Sequence, residues 1–227
     1  MKKCKFLFII LSIVCCCSCS SDKEKQYQEE LLGIDFNVES NEISLSNYDT
    51  ENPLVAMYIK NYGAIVIELY PEKAKNTVNN FISLTKSGFY DNNSFHRLVP
   101  GFVLQGGDPN GNGTGGPDYQ IKGEFSDNDY KDNDLKHEER IVSMARSMDN
   151  DSAGSQFFIM LAESSYLDGK YAAFGKVIDG FDIVKKIEEE EIVADEETGK
   201  LKNNLTIKKA LVDTRGKTYD DVEKITK

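Results

Sequence analysis

Short apolar runs separated by clusters of Gly, Pro, Asn and Asp recur through the middle of the chain. Several of these runs are rich in β-branched and aromatic residues, a composition that is typical of strands. The pattern predicts strands at 53–60, 64–70, 141–145, 156–161, 172–178 and 205–212, with two more within 95–108. Helical spacing of apolar residues predicts two helices, one from Pro71 to about Gly88 and one at 181–189. Many short strands with two helices predict an all-β barrel with helical caps.

The stretch 95–108 brings together three side chains of different chemistry. It consists of two predicted strands joined at a Pro-Gly turn. Because side chains alternate along a strand, Phe95 and Arg97 are predicted to share one face. Beyond the turn, Phe102 and Gln105 could meet Arg97, so that a cation, an aromatic ring and an amide lie over one groove.

Composition and charge limit the chemistry that this chain can perform. The chain has 227 residues, 40 % of them hydrophobic, and a formal net charge of −11. This length suffices for one domain with extensions, and the negative charge disfavours a nucleic-acid partner. All five cysteines lie within the first 19 residues, and the two histidines are His96 and His137. We therefore predict no metal site, disulfide framework, cysteine nucleophile or cofactor in the folded body, and we expect His96 to make a structural contact.

The first 19 residues have the pattern of a targeting segment. A positively charged start precedes nine apolar residues, Phe6–Val14, too few to span a bilayer as a helix and typical of a secretory signal. The cysteine-rich cluster that follows resembles the end of a bacterial lipoprotein signal, in which one cysteine becomes the lipidated first residue of the mature chain. We predict that Cys19 is this residue. Cys16 and Cys17 are alternatives, and so is an ordinary cleaved signal with incidental cysteines.

Lipidation would anchor the protein to a membrane without making it span the bilayer. The Ser-Ser-Asp-Lys-Glu run after Cys19 resembles sequences that route lipoproteins to the outer membrane of some bacteria. The predicted location is therefore the cell envelope, with the protein lipid-anchored to a bacterial membrane, most simply the outer one, and its folded domain extracytoplasmic.

The chain is predicted to have four regions, which are a signal at 1–19, a polar tether at 20–51, a folded domain at 52–213 and a polar, frayed tail at 214–227. The tether could instead dock a partner. Within the domain, six glycines among residues 106–117 predict a loop, which we expect to rim the groove over which Arg97, Phe102 and Gln105 could meet. A phosphate-binding loop is disfavoured because no Gly-Lys-Ser/Thr ending follows. Residues 118–140 are predicted to form a solvated acidic connection, and residues 188–202 a charged excursion.

The run from Phe95 to Asp108 closely resembles the signature of the cyclophilin family of peptidyl-prolyl cis-trans isomerases. Further blocks match in the family's order at 112–116, 143–145, 155–159 and 167–175, and the resemblance covers residues 52–213. It implies a closed eight-stranded antiparallel barrel with a helix at each end, whereas the pattern of apolar residues alone predicts the barrel class without its strand number.

The resemblance also implies roles for individual residues. Arg97 matches the family's catalytic arginine, and Gln105 matches the residue that hydrogen-bonds the substrate backbone. The apolar seat for the proline ring corresponds to Phe102, Val103, Phe158 and Leu167. The stretch that pairs with the peptide main chain corresponds to Ala145 and Arg146. The chain departs from the best-known members at Tyr166 and Tyr171, where they carry Trp and His. These two departures argue against tight cyclosporin binding but are compatible with isomerase activity.

The chemistry fits these residue types, because rotation about an X–Pro bond meets a barrier of about 18–20 kcal/mol without any bond being made or broken. An arginine can donate a hydrogen bond to the prolyl nitrogen of the twisted amide with no proton transfer. We therefore predict a monomeric isomerase that acts on proline-containing unfolded or exported polypeptides, tethered to a membrane by its lipid. The alternatives are a non-catalytic, tethered peptide-binding module or holdase that uses the same groove, and a structural envelope protein.

Overall fold

The computed structural model describes residues 34–226 of the chain. The predicted signal, Cys19 and the first part of the predicted tether lie outside the described residues. The strands are β1 Leu54–Ile59, β2 Gly63–Leu69, β3 Ser94–Val99, β4 Val103–Gly106, β5 Tyr119–Gln120, β6 Ile141–Met144, β7 Phe157–Met160, β8 Ala173–Asp179, β9 Val193–Asp195, β10 Lys200–Asp213 and β11 Ile225–Thr226. The helices are α1 Lys75–Lys86 and α2 Phe181–Glu190.

Eight strands form a closed antiparallel barrel. Their order around the barrel is β1-β2-β8-β6-β7-β4-β3-β10, and pairing of β10 with β1 closes it. Strand β9 adds to β10 as a short hairpin, and β5 pairs with β11 in a separate two-stranded sheet. The predicted all-β barrel with eight strands and two helices is therefore confirmed. Closure removes the free sheet edges that an open sheet would leave.

The interior of the barrel is filled by apolar side chains from every barrel strand and from both helices. Phe81 of α1 lies at its centre, with ring centroids 4.9 Å from Phe174, 5.0 Å from Tyr90 and 5.3 Å from Phe157. Helix α2 contributes Val184, which is fully buried. Such a packed interior leaves no passage for a ligand, so any binding site has to lie on the outside of the barrel.

Helix α1 begins at Lys75 and not at Pro71, so the predicted start of this helix is wrong. The physical reason is a carboxylate from the predicted acidic connection. Glu124 is buried and accepts hydrogen bonds from the main-chain N–H groups of Asn76 at 2.9 Å and Thr77 at 2.7 Å. A negative charge on the free N–H groups of the first turn stabilises this helix end. The segment 118–140 is thus partly structural and not only a solvated connection.

Residues 34–51 differ from the predicted polar tether, because they pack against the outside of the barrel. Ile34, Phe36 and Leu45 are buried against outward-facing residues of β1, β2 and β10. The guanidinium of Arg215 fastens this segment by donating hydrogen bonds to main-chain oxygens of Leu45, Tyr48 and Thr50. The alternation of Ile34, Phe36 and Val38 with polar residues was the available signal for this packing, and the prediction of a polar tether did not use it. We call residues 34–51 the strap.

The C-terminal segment also differs from its prediction, since residues 214–226 are not frayed. Tyr219 and Val222 pack against the main apolar cluster. Beyond them, the N–H of Glu223 donates to Asn76 of α1 at 2.8 Å, and β11 pairs with β5. Among residues 34–226, no helix is long and apolar enough to cross a membrane.

Candidate active site

A β-bulge at His96 turns Arg97 to the outside of the barrel. Phe95 is paired with Gly106 and Arg97 with Gln105, so His96 is an extra residue in β3 with no partner in β4. Phe95 therefore faces the filled interior, whereas Arg97 lies outside and is half-buried. The prediction that Phe95 and Arg97 share a face is wrong for this reason, since a bulge breaks the alternation of side chains.

An apolar cluster covers the outer face of β4, β6, β7 and β8 next to Arg97. It consists of Val103, Ile141, Phe158, Met160, Leu167 and Ala173, with partly buried Val99, Phe102, Leu135, Ala145 and Tyr171 around it. All four residues that were predicted to form the proline seat belong to this cluster. Strand alternation explains the arrangement, because Phe157 points into the barrel and Phe158 points out. We call this cluster the outer pocket.

Aromatic side chains form the exposed wall of the outer pocket. The rings of Phe102 and Tyr166 are stacked, with centroids 5.9 Å apart and an angle of 26° between planes. Tyr166 is 61 % exposed, so its flat face is available to a ligand. Tyr171 meets the ring of Phe158 edge-on at 5.8 Å. Tyr166 and Tyr171, the two departures noted in the sequence, thus both lie at the site.

Two hydrogen bonds from different nitrogens fix the guanidinium of Arg97. Its Nε donates to the carbonyl oxygen of Thr198 at 2.8 Å, and its Nη1 donates to Oε1 of Gln105 at 3.2 Å. Its Nη2 makes no hydrogen bond within residues 34–226 and remains available as a donor. Burial lowers the pKa of Arg97, but an arginine starts so far above neutrality that the group stays charged at any working pH.

A chain of amides connects Arg97 to the glycine-rich loop. Gln105 Nε2 donates to Oε1 of Gln156 at 3.1 Å, and Gln156 Nε2 donates to the carbonyl oxygens of Gly113 and Gly115 at 3.0 and 2.9 Å. Gln156 was missed by the sequence reasoning as a site residue. Its position directly before Phe157 and Phe158 was the available signal, since it places Gln156 next to the start of β7, the strand that pairs with β4 and Gln105.

The carboxylate of Asp108 holds the glycine-rich loop in shape. It accepts hydrogen bonds from the N–H groups of Asn110, Asn112 and Gly113. Burial by itself raises the pKa of Asp108, but these three donors outweigh it and the net shift is downward. The loop thus rims the groove, as predicted, and its anion-binding N–H groups are occupied by the protein's own carboxylate.

A cavity of about 270 Å³ opens beside Gln105. It is lined by the glycine-rich loop, by residues 145–147 and by residues 152–156. Ala145 borders both the outer pocket and this cavity, so together they make one continuous groove on the barrel surface. A polypeptide segment can lie along such a groove with several residues in contact.

Ala145 and Arg146 lie between the two parts of the groove. The Ala145 N–H already donates to the Gln156 carbonyl at 2.9 Å, whereas the main-chain N–H and C=O of Arg146 bond to nothing within the described part of the chain. The Arg146 guanidinium is already occupied by the protein's own groups, because it donates to Lys170 O at 2.9 and 3.1 Å and lies 4.6 Å over the ring of Tyr171. A role of Arg146 in binding a peptide therefore falls to its main chain.

The two histidines are buried and supply no acid–base group to the groove. His137 lies within hydrogen-bonding distance, 3.1 Å, of both Asp168 and Ser143, and its ring stacks on Phe158. Ser143 is fully buried, so this Ser–His–Asp arrangement has no access for a substrate. Neither ring nitrogen of His96 has a hydrogen-bond partner within residues 34–226. Burial lowers the pKa of both imidazoles.

Residues 34–226 contain no group of three or more His, Cys, Asp or Glu side chains that could hold a metal ion. The site is therefore defined by an arginine, two glutamines, an apolar pocket and exposed main-chain groups.

Comparison with known proteins places this site in a family. A family model described as "Cyclophilin type peptidyl-prolyl cis-trans isomerase/CLD" matches residues 54–212. Peptidyl-prolyl cis-trans isomerase B of Bacillus subtilis is 47 % identical over 123 residues, covering 54 % of this chain and 82 % of that relative. A peptidyl-prolyl cis-trans isomerase of Helicobacter pylori strain J99 is 36 % identical over 160 residues, covering 70 % of this chain and 91 % of the relative.

A solved structure agrees with these relatives. The crystal structure of a Cryptosporidium parvum cyclophilin-type peptidyl-prolyl cis-trans isomerase, determined in the presence of the dipeptide Ala-Pro, superposes with a TM-score of 0.60 at 33 % identity. The superposition covers 70 % of this chain and 98 % of the Cryptosporidium parvum chain. With the barrel, the bulged arginine strand and the outer pocket, these similarities show that the chain belongs to the cyclophilin family and is a peptidyl-prolyl cis-trans isomerase.

Proposed function

We propose that Arg97 is the catalytic donor of this isomerase and that the outer pocket seats the proline ring. The observation that carries the proposal is the free Nη2 of a fixed guanidinium beside an apolar pocket whose wall is exposed. Phe102, Val103 and Phe158 supply the apolar contacts, and Leu167 completes the seat. Gln105 and the main chain of Arg146 hold the backbone of the substrate on either side.

This arrangement suits the physical demands of the reaction. In the twisted transition state the amide loses resonance, and the prolyl nitrogen gains a lone pair that can accept a hydrogen bond. A donor that is fixed in advance favours this state over the planar ground states. Each tenfold gain in rate requires about 1.4 kcal/mol of such differential stabilisation. No proton moves, so an always-charged arginine is a better donor here than a histidine.

We further propose that the enzyme acts on exported polypeptides from a lipid anchor at Cys19. The signal-like pattern of residues 1–19 supports an anchor, and slow X–Pro isomerisation limits the folding of many chains after export.

The anchor is tested by metabolic labelling with a radioactive fatty acid, followed by membrane fractionation, in a bacterium that processes lipoproteins. Wild-type protein is expected to carry the label and to be recovered with the outer membrane. The variant Cys19→Ala is expected to lose the label, whereas the matched controls Cys16→Ala and Cys17→Ala retain it. Labelling of Cys19→Ala, or an unlabelled wild type, contradicts the proposed anchor.

The substrate class is tested by refolding a secreted protein whose slow phase is an X–Pro isomerisation. Wild-type enzyme is expected to accelerate this phase, and Arg97→Ala is expected not to. If both proteins instead suppress aggregation of the client without accelerating the slow phase, the tethered holdase is the better description and the proposal fails.

A further inference from the structure

The hairpin of β9 and the first residues of β10 reaches the catalytic arginine. The sequence predicted only a charged excursion here, and the family resemblance assigned it no role. In the structure Lys200 pairs with Arg97 in register, and the carbonyl oxygen of Thr198 accepts the hydrogen bond from Arg97 Nε at 2.8 Å. A part of the chain that is 101 residues away in sequence therefore contacts the guanidinium directly.

The tip of this hairpin is held by its own hydrogen bonds and by β3. The Gly199 N–H donates to the carbonyl oxygen of Asp195 at 2.8 Å, and Oδ1 of Asp195 accepts from the N–H groups of Glu197 at 3.0 Å and Thr198 at 3.4 Å. The Leu98 N–H donates to the Gly199 carbonyl at 2.8 Å. The Thr198 carbonyl therefore has a defined position relative to β3.

Gly199 allows this close approach. It is buried and has a φ of +74°, a conformation that favours glycine. A Cβ at this position would lie 2.6 Å from Cγ2 of Val99, 2.9 Å from the Leu98 oxygen and 3.3 Å from Cγ of Arg97. Any side chain here would push the hairpin away from the arginine.

The two bonds to the guanidinium come from opposite sides. A guanidinium is planar and carries five N–H groups in a fixed fork. Thr198 accepts from Nε on the hairpin side, and Gln105 accepts from Nη1 on the side of the amide chain. Two acceptors on different nitrogens define the plane of the group, and so they define where the unbonded Nη2 points.

We propose that the tip of the β9–β10 hairpin is a positioning element for the isomerase, in which the Thr198 carbonyl, held by Asp195 and Gly199, orients Arg97. These residues act through Arg97 and not on the substrate, so the inference rests on the proposed catalytic role of Arg97. Lost alignment of a donor lowers the rate of the chemical step more than it weakens binding.

The first test is Asp195→Ala in the full-length enzyme, which removes the acceptor that organises the turn. We expect kcat to fall about fivefold with KM unchanged, as for a misaligned donor. Asp195→Asn should restore kcat, because its Oδ1 can accept the same two N–H bonds. Glu196→Ala is the matched control, since it removes an equally exposed carboxylate from the same tip, and it should leave kcat unchanged.

A double-mutant cycle separates positioning from a general structural effect. Arg97→Lys keeps the charge but has neither a planar guanidinium nor the Nε–H whose bond to Thr198 orients it. Asp195→Ala should therefore cause no further loss of kcat in the Arg97→Lys background. The Arg97 Nε–H resonance should exchange with solvent faster in Asp195→Ala than in wild type. An equal loss of kcat in both backgrounds overturns the proposal.

Gly199→Ala tests the same element from the packing side. Its matched control is Gly216→Ala, where φ is +72° but nothing lies within 4 Å of the added Cβ. Gly199→Ala should lower kcat and accelerate Nε–H exchange, and Gly216→Ala should do neither. If Arg97→Ala abolishes activity while Asp195→Ala and Gly199→Ala retain full kcat, the positioning role of the hairpin is rejected and the proposed role of Arg97 stands. If Arg97→Ala is fully active, the proposed role of Arg97 itself fails.

Discussion

The inside and the outside of this barrel carry similar aromatic side chains, but those side chains have different roles. Phe157 and Phe158 are neighbours in β7 and differ only in the direction in which they point. Phe157 is fully buried among Phe81, Tyr90 and Phe95 in the interior. Phe158 lies in the outer pocket beneath an exposed aromatic wall.

The difference teaches that burial alone does not identify a binding site in such a fold. Both rings are nearly inaccessible to water, at 0 % and 5 % exposure, yet one is enclosed on every side and the other is bordered by half-exposed Phe102 and by Arg97. The interior stabilises the scaffold, and the outer pocket presents an apolar surface next to unsatisfied donors.

The largest effect is expected from Phe157→Ala, which leaves a cavity in the interior. We expect it to lower the free energy of unfolding by about 3–5 kcal/mol, measured by equilibrium unfolding in urea. Phe158→Ala should instead weaken binding of a proline peptide, measured by NMR titration, and should cost less stability. If Phe157→Ala and Phe158→Ala lower the free energy of unfolding equally and bind the peptide equally well, the distinction between the two rings is wrong.

A second prediction concerns the strap, which is also packed on the outside. Phe36→Ala should lower the free energy of unfolding by about 2 kcal/mol, in line with the loss of one buried aromatic side chain. Isomerase activity at a temperature where the variant is folded should be unchanged, because the strap lies on β1, β2 and β10 and not on the groove. A loss of kcat in the folded variant would mean that outer-surface packing and catalysis are coupled.

A third prediction addresses the amide chain. Gln156→Leu should lower kcat/KM about fivefold, because Gln105 and the glycine-rich loop both lose a hydrogen-bond partner. The matched control is Asn52→Leu, which removes a partly buried amide that donates to Glu68 at 3.1 Å and lies outside the groove, and which should leave kcat/KM unchanged. Peptide-exchange kinetics measure both. Equal behaviour of the two variants would show that the amide chain does not matter for catalysis.

The smallest effect is a pH dependence that separates stability from catalysis. Burial lowers the pKa of His96 and His137 in the folded state, so below about pH 6.5 the unfolded chain binds more protons than the folded one. The free energy of unfolding should therefore fall from pH 6.5 to pH 5, whereas kcat should change less than about twofold between pH 6 and 9, since no proton is transferred.

Urea unfolding at a series of pH values, with the histidine resonances followed by NMR, measures the first part of this prediction. Histidines that titrate at or above pH 6.5 in the folded protein would contradict it. A bell-shaped pH profile of kcat would contradict the second part and would require an acid–base group at the site.

The sequence predicted the barrel class, because short runs rich in β-branched and aromatic residues are separated by turns that contain Gly, Pro, Asn and Asp. The family resemblance supplied the four residues of the proline seat, and the structure brings Phe102, Val103, Phe158 and Leu167 together in one cluster. The direction of Arg97 could not be predicted from alternation, since a bulge depends on pairing with β4 and β10 and leaves no local signal at His96.

Long-range contacts account for the other differences. The start of α1 depends on Glu124, which lies 48 residues from Asn76, and the packing of the strap depends on Arg215. Thr198 meets Arg97 only because β10 returns to β3. In each case the two residues are far apart in sequence and come into contact only because the barrel closes. A periodicity within one segment cannot predict such a contact.

The central claim is that a fixed arginine on the outside of the barrel lowers the barrier to X–Pro rotation. It is tested most directly by cis–trans exchange of a short X–Pro peptide, measured by NMR with the full-length wild type and Arg97→Ala. The account predicts fast exchange with the wild type and a loss of about 100-fold in the variant, the effect of removing a transition-state donor, with the barrel intact by its spectrum. Unchanged exchange with the correctly folded variant would contradict it.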